Sequence, residues 1–334
     1  MIVRSWKDGW RRVFAAPAVV VGVFAVTLLT AVPLAITLRG QIEAHLGRSL
    51  MAGQAADAVS WDWWQEFTSQ ASGLGTTFTP SVIGFGATLD SVSSLLDGQR
   101  ETVPVIAALA TYLVVWTFLS GGILDRYARQ RPTRAHGFFA AAGVFFWRFL
   151  RLGIIAGLAY WLLFTYVHAW LFSDVYPRMT RDLAMERTAF FWRSGLYLVF
   201  GTLLVAVNVI VDYAKVRMVV EDRRSVIGSL AAALGFLGRQ RGRVFGLYAL
   251  NALVFLLLTA AWAGVAPGAG SAGLSVWLGF WVSQVYVLAR LAMKLQFLAS
   301  QTALFQASLA HARYTAAPVP VWPESPAAEA ITSG

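Results

Sequence analysis

The stretch VNVIVDYAKVRMVVEDRRSV, residues 207–226, runs from an apolar helix straight into charge. Asp212 and Lys215 are either ionisable groups held inside a membrane, which would mark a site, or the signature of where a membrane ends. The run before them, 189–211, is apolar for roughly 20 residues, the length that crosses a hydrocarbon core of about 30 Å. Similar runs occupy 14–38, 103–124, 150–172, 244–266 and 274–298. Asp212 and Asp125 each follow such a run by one residue, so both are expected at the cytoplasmic boundary, with Lys215 and Arg217 snorkelling to headgroups.

Composition supports the membrane assignment. The 334-residue chain is 57% hydrophobic and only 13% charged, with a mean hydropathy of +0.60, values that exclude an ordinary soluble domain. The first run follows Arg4, Lys7, Arg11 and Arg12 but is too long for a signal-peptide core and lacks a small-x-small cleavage site before Arg39, so it is expected to be a retained anchor. The chain has no cysteine, which removes disulfides, thiolate metal sites and thiol nucleophiles.

Orientation follows from the basic residues of the loops. Four lie before the first run, six in 125–151 and seven in 212–243, whereas 39–102 holds three against seven acids. The segment 173–193 has four, partly offset by Asp174, Asp182 and Glu186. Both termini are therefore expected to be cytoplasmic, and the chain to be a multi-pass protein of the bacterial inner membrane. The net charge of +10 spreads along one membrane face, which suits anionic headgroups as partners and not nucleic acid. Protein partners or a homo-oligomer stay open.

The fold expected is all-α, a polytopic six-helix transmembrane bundle. Each cytoplasmic approach to a membrane hairpin carries an amphipathic prelude: Trp6, Trp10 and Val13; Phe138, Phe139, Ala142, Phe145, Phe146 and Phe149; and Val226, Ile227, Leu230, Leu234 and Leu237. Such stripes beside basic residues can lie in the headgroup plane. The basic exits GGILDRYARQ, VIVDYAKVRM and YVLARLAMKL also resemble one another, so a threefold pseudo-repeat of helical hairpins is expected, beginning near Ser5, Ala135 and Ser225. Positive-inside selection alone would give the exits the same look. The domains are then a cytoplasmic prelude at 1–13, a membrane domain at 14–311 and a proline-rich, disordered cytoplasmic tail at 312–334.

Within the membrane domain, 39–102 is expected to form an extracytoplasmic helical cap, with short helices in RGQIEAHLGRSLMAG and WDWWQEFTSQ and a third carrying Val82, Phe85, Leu89, Val92 and Leu96. Trp61, Trp63 and Trp64 suit an outer interface. The sixth run has no proline to about Ala312 and should continue as a cytoplasmic helix.

Catalytic chemistry finds little footing. His45 with Glu43, Asp57, Asp62 and Glu66 shows no recognisable metal-ligand spacing, and no pair of outer carboxylates is spaced for hydrolysis. No cofactor is implied. The informative polar groups lie in or near the runs: Asn208, Asn251, Ser283, Gln284, Arg290 and Lys294. Arg290 and Lys294 share a helix face at i and i+4. With Gln284 near them and Asp212 as counter-ion, they form a candidate polar vestibule for an anionic headgroup or solute. The alternative is that the amides bond between helices while the cations snorkel. Gly121, Gly122, Gly153, Gly157 and Gly195 are candidate points of close helix approach.

The segment DYAKVRMVVEDRRSVIGSLAAALGFLGRQRG, 212–242, resembles a group of bacterial six-span proteins related to the glycerophosphoryl diester phosphodiesterase membrane domain. Its basic exit, Val-x-Glu-Asp turn and amphipathic helix carry that resemblance, with weaker support from FFAAAGVFFWRFLRL and WKDGWRRVFAAP. The resemblance implies a non-catalytic membrane module. The expected function is therefore non-enzymatic: organising lipid or a partner through a basic cytoplasmic face, or else carrying an anionic or amphipathic solute.

Overall fold

The computed structural model of the chain describes residues 1–53, 60–78, 103–183, 185–266 and 274–316. Among them there is no strand. The tail from 317 on, the loop 267–273, Asp57 and the cap stripe from Val82 to Leu96 lie outside the described residues.

Helix α1 (Ile2–Phe14) stops at Ala15, and α2 (Pro17–Leu46) restarts on a proline in its first turn, where the missing N–H costs no helical bond. At 30 residues, α2 is about 45 Å long and outruns a hydrocarbon core. It absorbs Arg39–Leu46, which the sequence assigns to a separate cap helix. Nothing there breaks the helix, and an Arg39–Glu43 pair at 2.7 Å supports it one turn apart. The cap helix α3 (Trp61–Gln70) has the expected bounds and is capped by Ser60, whose hydroxyl accepts from the Trp63 amide at 3.3 Å.

The membrane domain continues with α4 (Val103–Arg129), α5 (Ala135–Thr180), α6 (Glu186–Val220), α7 (Val226–Val265) and α8 (Leu274–Ala316). In α5 the segments Leu163–His168 and Trp170–Val175 are π-helical. Five helices, α2, α4, α5, α6 and α7, are long and apolar enough to cross a membrane, so the chain is a multi-pass membrane protein. Helix α8 is not counted among the five.

Two of the three preludes are not separate helices. Residues 135–149 continue into the rest of α5, and 226–239 continue into α7 through a bend at Gln240 (φ −121°, ψ 21°). Only α1 stands alone. In all three the most buried positions face protein: Ser5, Gly9, Arg12 and Val13; Ala142, Phe145 and Phe149; Val226, Ser229, Ala233, Phe236 and Leu237. Ile227 and Leu234, read from sequence as part of the inner stripe, are exposed. The face is rotated because small Ser229 and Ala233 let α6 approach, and large residues there would hold it off.

Each prelude packs on one other helix: 135–149 on α4, the start of α7 on α6, and α1 on α8. The contacts are close. A Cβ on Gly122 would lie 2.8 Å from the Phe138 carbonyl oxygen, and one on Gly9 would lie 2.9 Å from Ser300 Cα. Gly153, Gly157 and Gly195, which the sequence offers as further approach points, have open space where a Cβ would go.

The extension of α8 past its apolar run is helical as expected, and it is central: Leu295, Gln296, Ala299, Ser300, Leu304 and Phe305 are fully buried. Its polar side chains each find a different neighbour. Gln296 Nε2 donates to Trp6 O at 2.8 Å, Ser300 Oγ accepts from Asn251 at 3.0 Å, and Gln306 Nε2 donates to Ala128 O at 2.8 Å. Arg12, also buried, bonds Asp8, Tyr127 O and Gln306 Oε1, tying α1, α4 and α8 together.

Gly9→Ala should push α1 off α8 and cost about 1–3 kcal/mol. Gly143→Ala, where a Cβ meets nothing within 4 Å, should be neutral or slightly stabilising. Thermal unfolding of the two variants in one detergent checks the difference.

Candidate functional site

Between α2, α4, α6, α7 and α8 lies a cavity of about 760 Å³, within the range of sites that hold small molecules. Three of the four vestibule residues, Asp212, Arg290 and Lys294, line it together with Lys215. Gln284 does not line it. Six residues before Arg290, it is about 240° around the helix from it and so faces elsewhere.

Lys294 is held by aromatic groups of α4. Its Nζ donates to Tyr112 OH at 2.8 Å and lies 3.5 Å from the Trp116 ring centroid, a contact in which the ring's quadrupole favours the cation. Arg290, one turn away, has Cζ 5.7 Å from the Tyr286 centroid. Sequence reasoning missed Tyr112 and Trp116 because in a span of apolar residues an aromatic pair at i and i+4 looks like lipid-facing bulk.

Asp212 occupies the end of the apolar run of α6, as expected, but it is buried against the cavity wall. Its Oδ1 pairs with Lys215 Nζ at 3.3 Å, and Oδ2 accepts from Asn208 at 3.4 Å and Gln301 at 3.5 Å. Asn208 also donates to Tyr248 OH at 3.0 Å. Asp212 is thus paired directly with Lys215 and makes no ion pair with the α8 cations. Among the described residues neither Arg290 nor Lys294 has a carboxylate within 4.0 Å. Three cations face one carboxylate, so the cavity is electropositive.

The end of α6 beyond Lys215 is fixed by a second cluster. Arg217, expected to snorkel, is buried: it reaches the Ala232 carbonyl, pairs with Glu221 at 2.8 Å and stacks on Phe305 at 5.3 Å. Arg223 also pairs with Glu221. Packing turns Arg217 inward because α7 and α8 cover the side of α6 from which a headgroup would be reached.

Other candidates dissolve into local pairing. His45 Nδ1 accepts from Trp63 Nε1 at 3.1 Å, and Glu66 accepts from Ser49 at 2.8 Å. No cluster of three metal-ligating side chains occurs among the described residues. The cavity presents a planar guanidinium and a point-like ammonium side by side, groups that suit an anion. No protein-family model, curated protein or solved structure matches the chain.

Burial alone would raise the pKa of Glu221, but its hydrogen bonds and charge attraction to Arg217 and Arg223 outweigh that and lower it from the ordinary 4.5. A depressed carboxylate contributes stability above its unfolded pKa, and the contribution is lost as pH falls through the folded value. Glu221→Gln should therefore cost on the order of 1 kcal/mol near neutral pH, with the gap to wild type closing below the ordinary 4.5. Melting curves across an acid pH series read this directly.

Proposed function

We propose that this is a non-enzymatic integral protein of the bacterial inner membrane that binds an anionic solute in the cavity between α4, α6 and α8, as a carrier or a retaining site. One observation carries the proposal: Arg290 and Lys294 face a sizeable cavity with no carboxylate within 4.0 Å, while Asp212 in the same wall is engaged by Lys215. Lys294 is half-buried and Arg290 exposed; cations held within a membrane without a carboxylate are costly, and an anion drawn into the cavity would relieve that cost. Of the two functions expected, organising lipid at a basic face and carrying an anionic solute, this favours the second.

The frame for this function is a six-span bundle with both termini in the cytoplasm. Helix α8 is the sixth span over 274–298, its cations tolerated because they face the cavity and aromatic rings. The basic loops favour this orientation. Phe139, Ile227 and Leu234, exposed beside basic residues, would let the preludes touch the headgroup layer as well as pack on protein. The threefold pseudo-repeat gains support from three like pairings of prelude and exit and from left-handed residues closing two exits, Gln130 (φ 53°) and Asp222 (φ 46°). The resemblance of 212–242 to the phosphodiesterase-linked membrane domain fits a module without catalysis.

The Arg290→Ala, Lys294→Ala double variant should still insert, and it should lose anion binding by at least about tenfold, since each charge-assisted contact is worth more than 1 kcal/mol. Asp212→Asn should act the other way and strengthen binding, because it removes the cavity's carboxylate. Titration of the purified protein with inorganic phosphate, followed by tryptophan fluorescence, measures both. Equal affinities for wild type and the double variant would contradict the site.

A further inference from the structure

The cavity is not uniformly polar, and its asymmetry bears on what fills it. Lys215, Asp212 and Asn208 line it where α6 leaves its apolar run. On α8, Lys294 and Arg290 lie four and eight residues before Leu298, about 6 and 12 Å deeper along the helix axis. Past them the walls are Val287, Phe255 and Thr27. Phe255 is seven residues beyond Tyr248 on α7, about 10 Å further from the cytoplasmic side. No charged side chain lines that far part of the cavity.

A small hydrated anion would be satisfied at Arg290 and Lys294 but would leave the apolar part unfilled, and water there would lack polar partners. An amphiphile satisfies both parts at once. Its anionic group meets the two cations, and its hydrocarbon covers Val287, Leu291 and Phe255, at a gain of about 25 cal/mol per Å² of apolar surface removed from water.

Resting on the cavity as an anion site, we propose that its occupant is a phosphate-bearing membrane lipid, its headgroup at Arg290 and Lys294 and its chain along Val287 and Phe255 toward the bilayer centre. The shared chemistry is a phosphate, so a soluble phosphate ester is the competing source. The lipid is favoured because a soluble ester leaves Val287, Leu291 and Phe255 without a partner.

The full chain is placed in nanodiscs of phosphatidylcholine containing a minor fraction of either brominated phosphatidylglycerol or brominated phosphatidylcholine. Bromine quenches nearby indoles, and the part of the quenching absent from Trp116→Phe belongs to Trp116. The anionic lipid is expected to quench that component with a preference on the order of tenfold over the zwitterionic one. The preference should vanish in the Arg290→Ala, Lys294→Ala variant and survive millimolar glycerol phosphate. Displacement by glycerol phosphate would overturn the lipid inference while leaving an anion site in place. Equal quenching by both lipids, with no effect of glycerol phosphate, would overturn the inference and the anion site together. Native mass spectrometry of the wild-type chain, released from an equal mixture of the unbrominated lipids, needs no variant. Retained phosphatidylglycerol supports the inference, and retention in proportion to the mixture contradicts it.

Discussion

Everything about the cavity depends on the rotational setting of α8. A helix carrying Arg290 and Lys294 through an apolar shell can present them inward only if its orientation is fixed, since one residue of rotation swings each side chain by about 100°. Four polar stitches below the cations supply that constraint. Gln296 binds the backbone of α1, Ser300 binds Asn251 of α7, Gln301 reaches Asp212 of α6, and Gln306 binds the backbone of α4. Their partners lie on four different helices, so no single neighbour can move without breaking one of them. Buried hydrogen bonds of this kind add modest net stability each, but leaving one unmade costs more, which makes the wrong register expensive.

This gives α1 a role that its amphipathic pattern alone does not suggest. Gly9 brings its backbone against Ser300, and Arg12 joins it to α4 and to Gln306. The first helix thereby packs on α8, while 135–149 packs on α4 and the start of α7 on α6. The chain's beginning and its last described helix close one bundle, and the cavity lies on the opposite side of the same α8 segment. Changes in α1 should therefore reach the cavity through α8 without touching it.

The sequence made the helices legible because their signals are local: twenty-residue apolar runs, the Ser60 cap before WDWWQEFTSQ, and the unbroken stretch from Leu274. It also placed Arg290 and Lys294 on one face. It misjudged features decided by tertiary contact. Residues 39–46 read as the start of a separate helix because the stretch is polar, yet without a breaker they continue α2. The inner face of 226–237 was read from the largest side chains, whereas close approach selected Ser229 and Ala233. Arg217 faces a carbonyl and a ring from helices distant in sequence, and nothing near it announces that. Asp212 lies both at the end of an apolar run and in a site wall, two readings that sequence presents as alternatives.

A cavity bearing three cations and one carboxylate should be open to water and favour negative charge. The absence of cysteine permits a clean test with one introduced thiol, Leu298→Cys, in the cavity wall one turn from Lys294. Its labelling rate would be compared for a negatively and a positively charged methanethiosulfonate of similar size, applied to inside-out membrane vesicles. The account expects labelling by both reagents, with the negative one faster and its advantage removed when Arg290 and Lys294 are also changed to Ala. A thiol that neither reagent reaches, or one that the positive reagent labels faster, would contradict it.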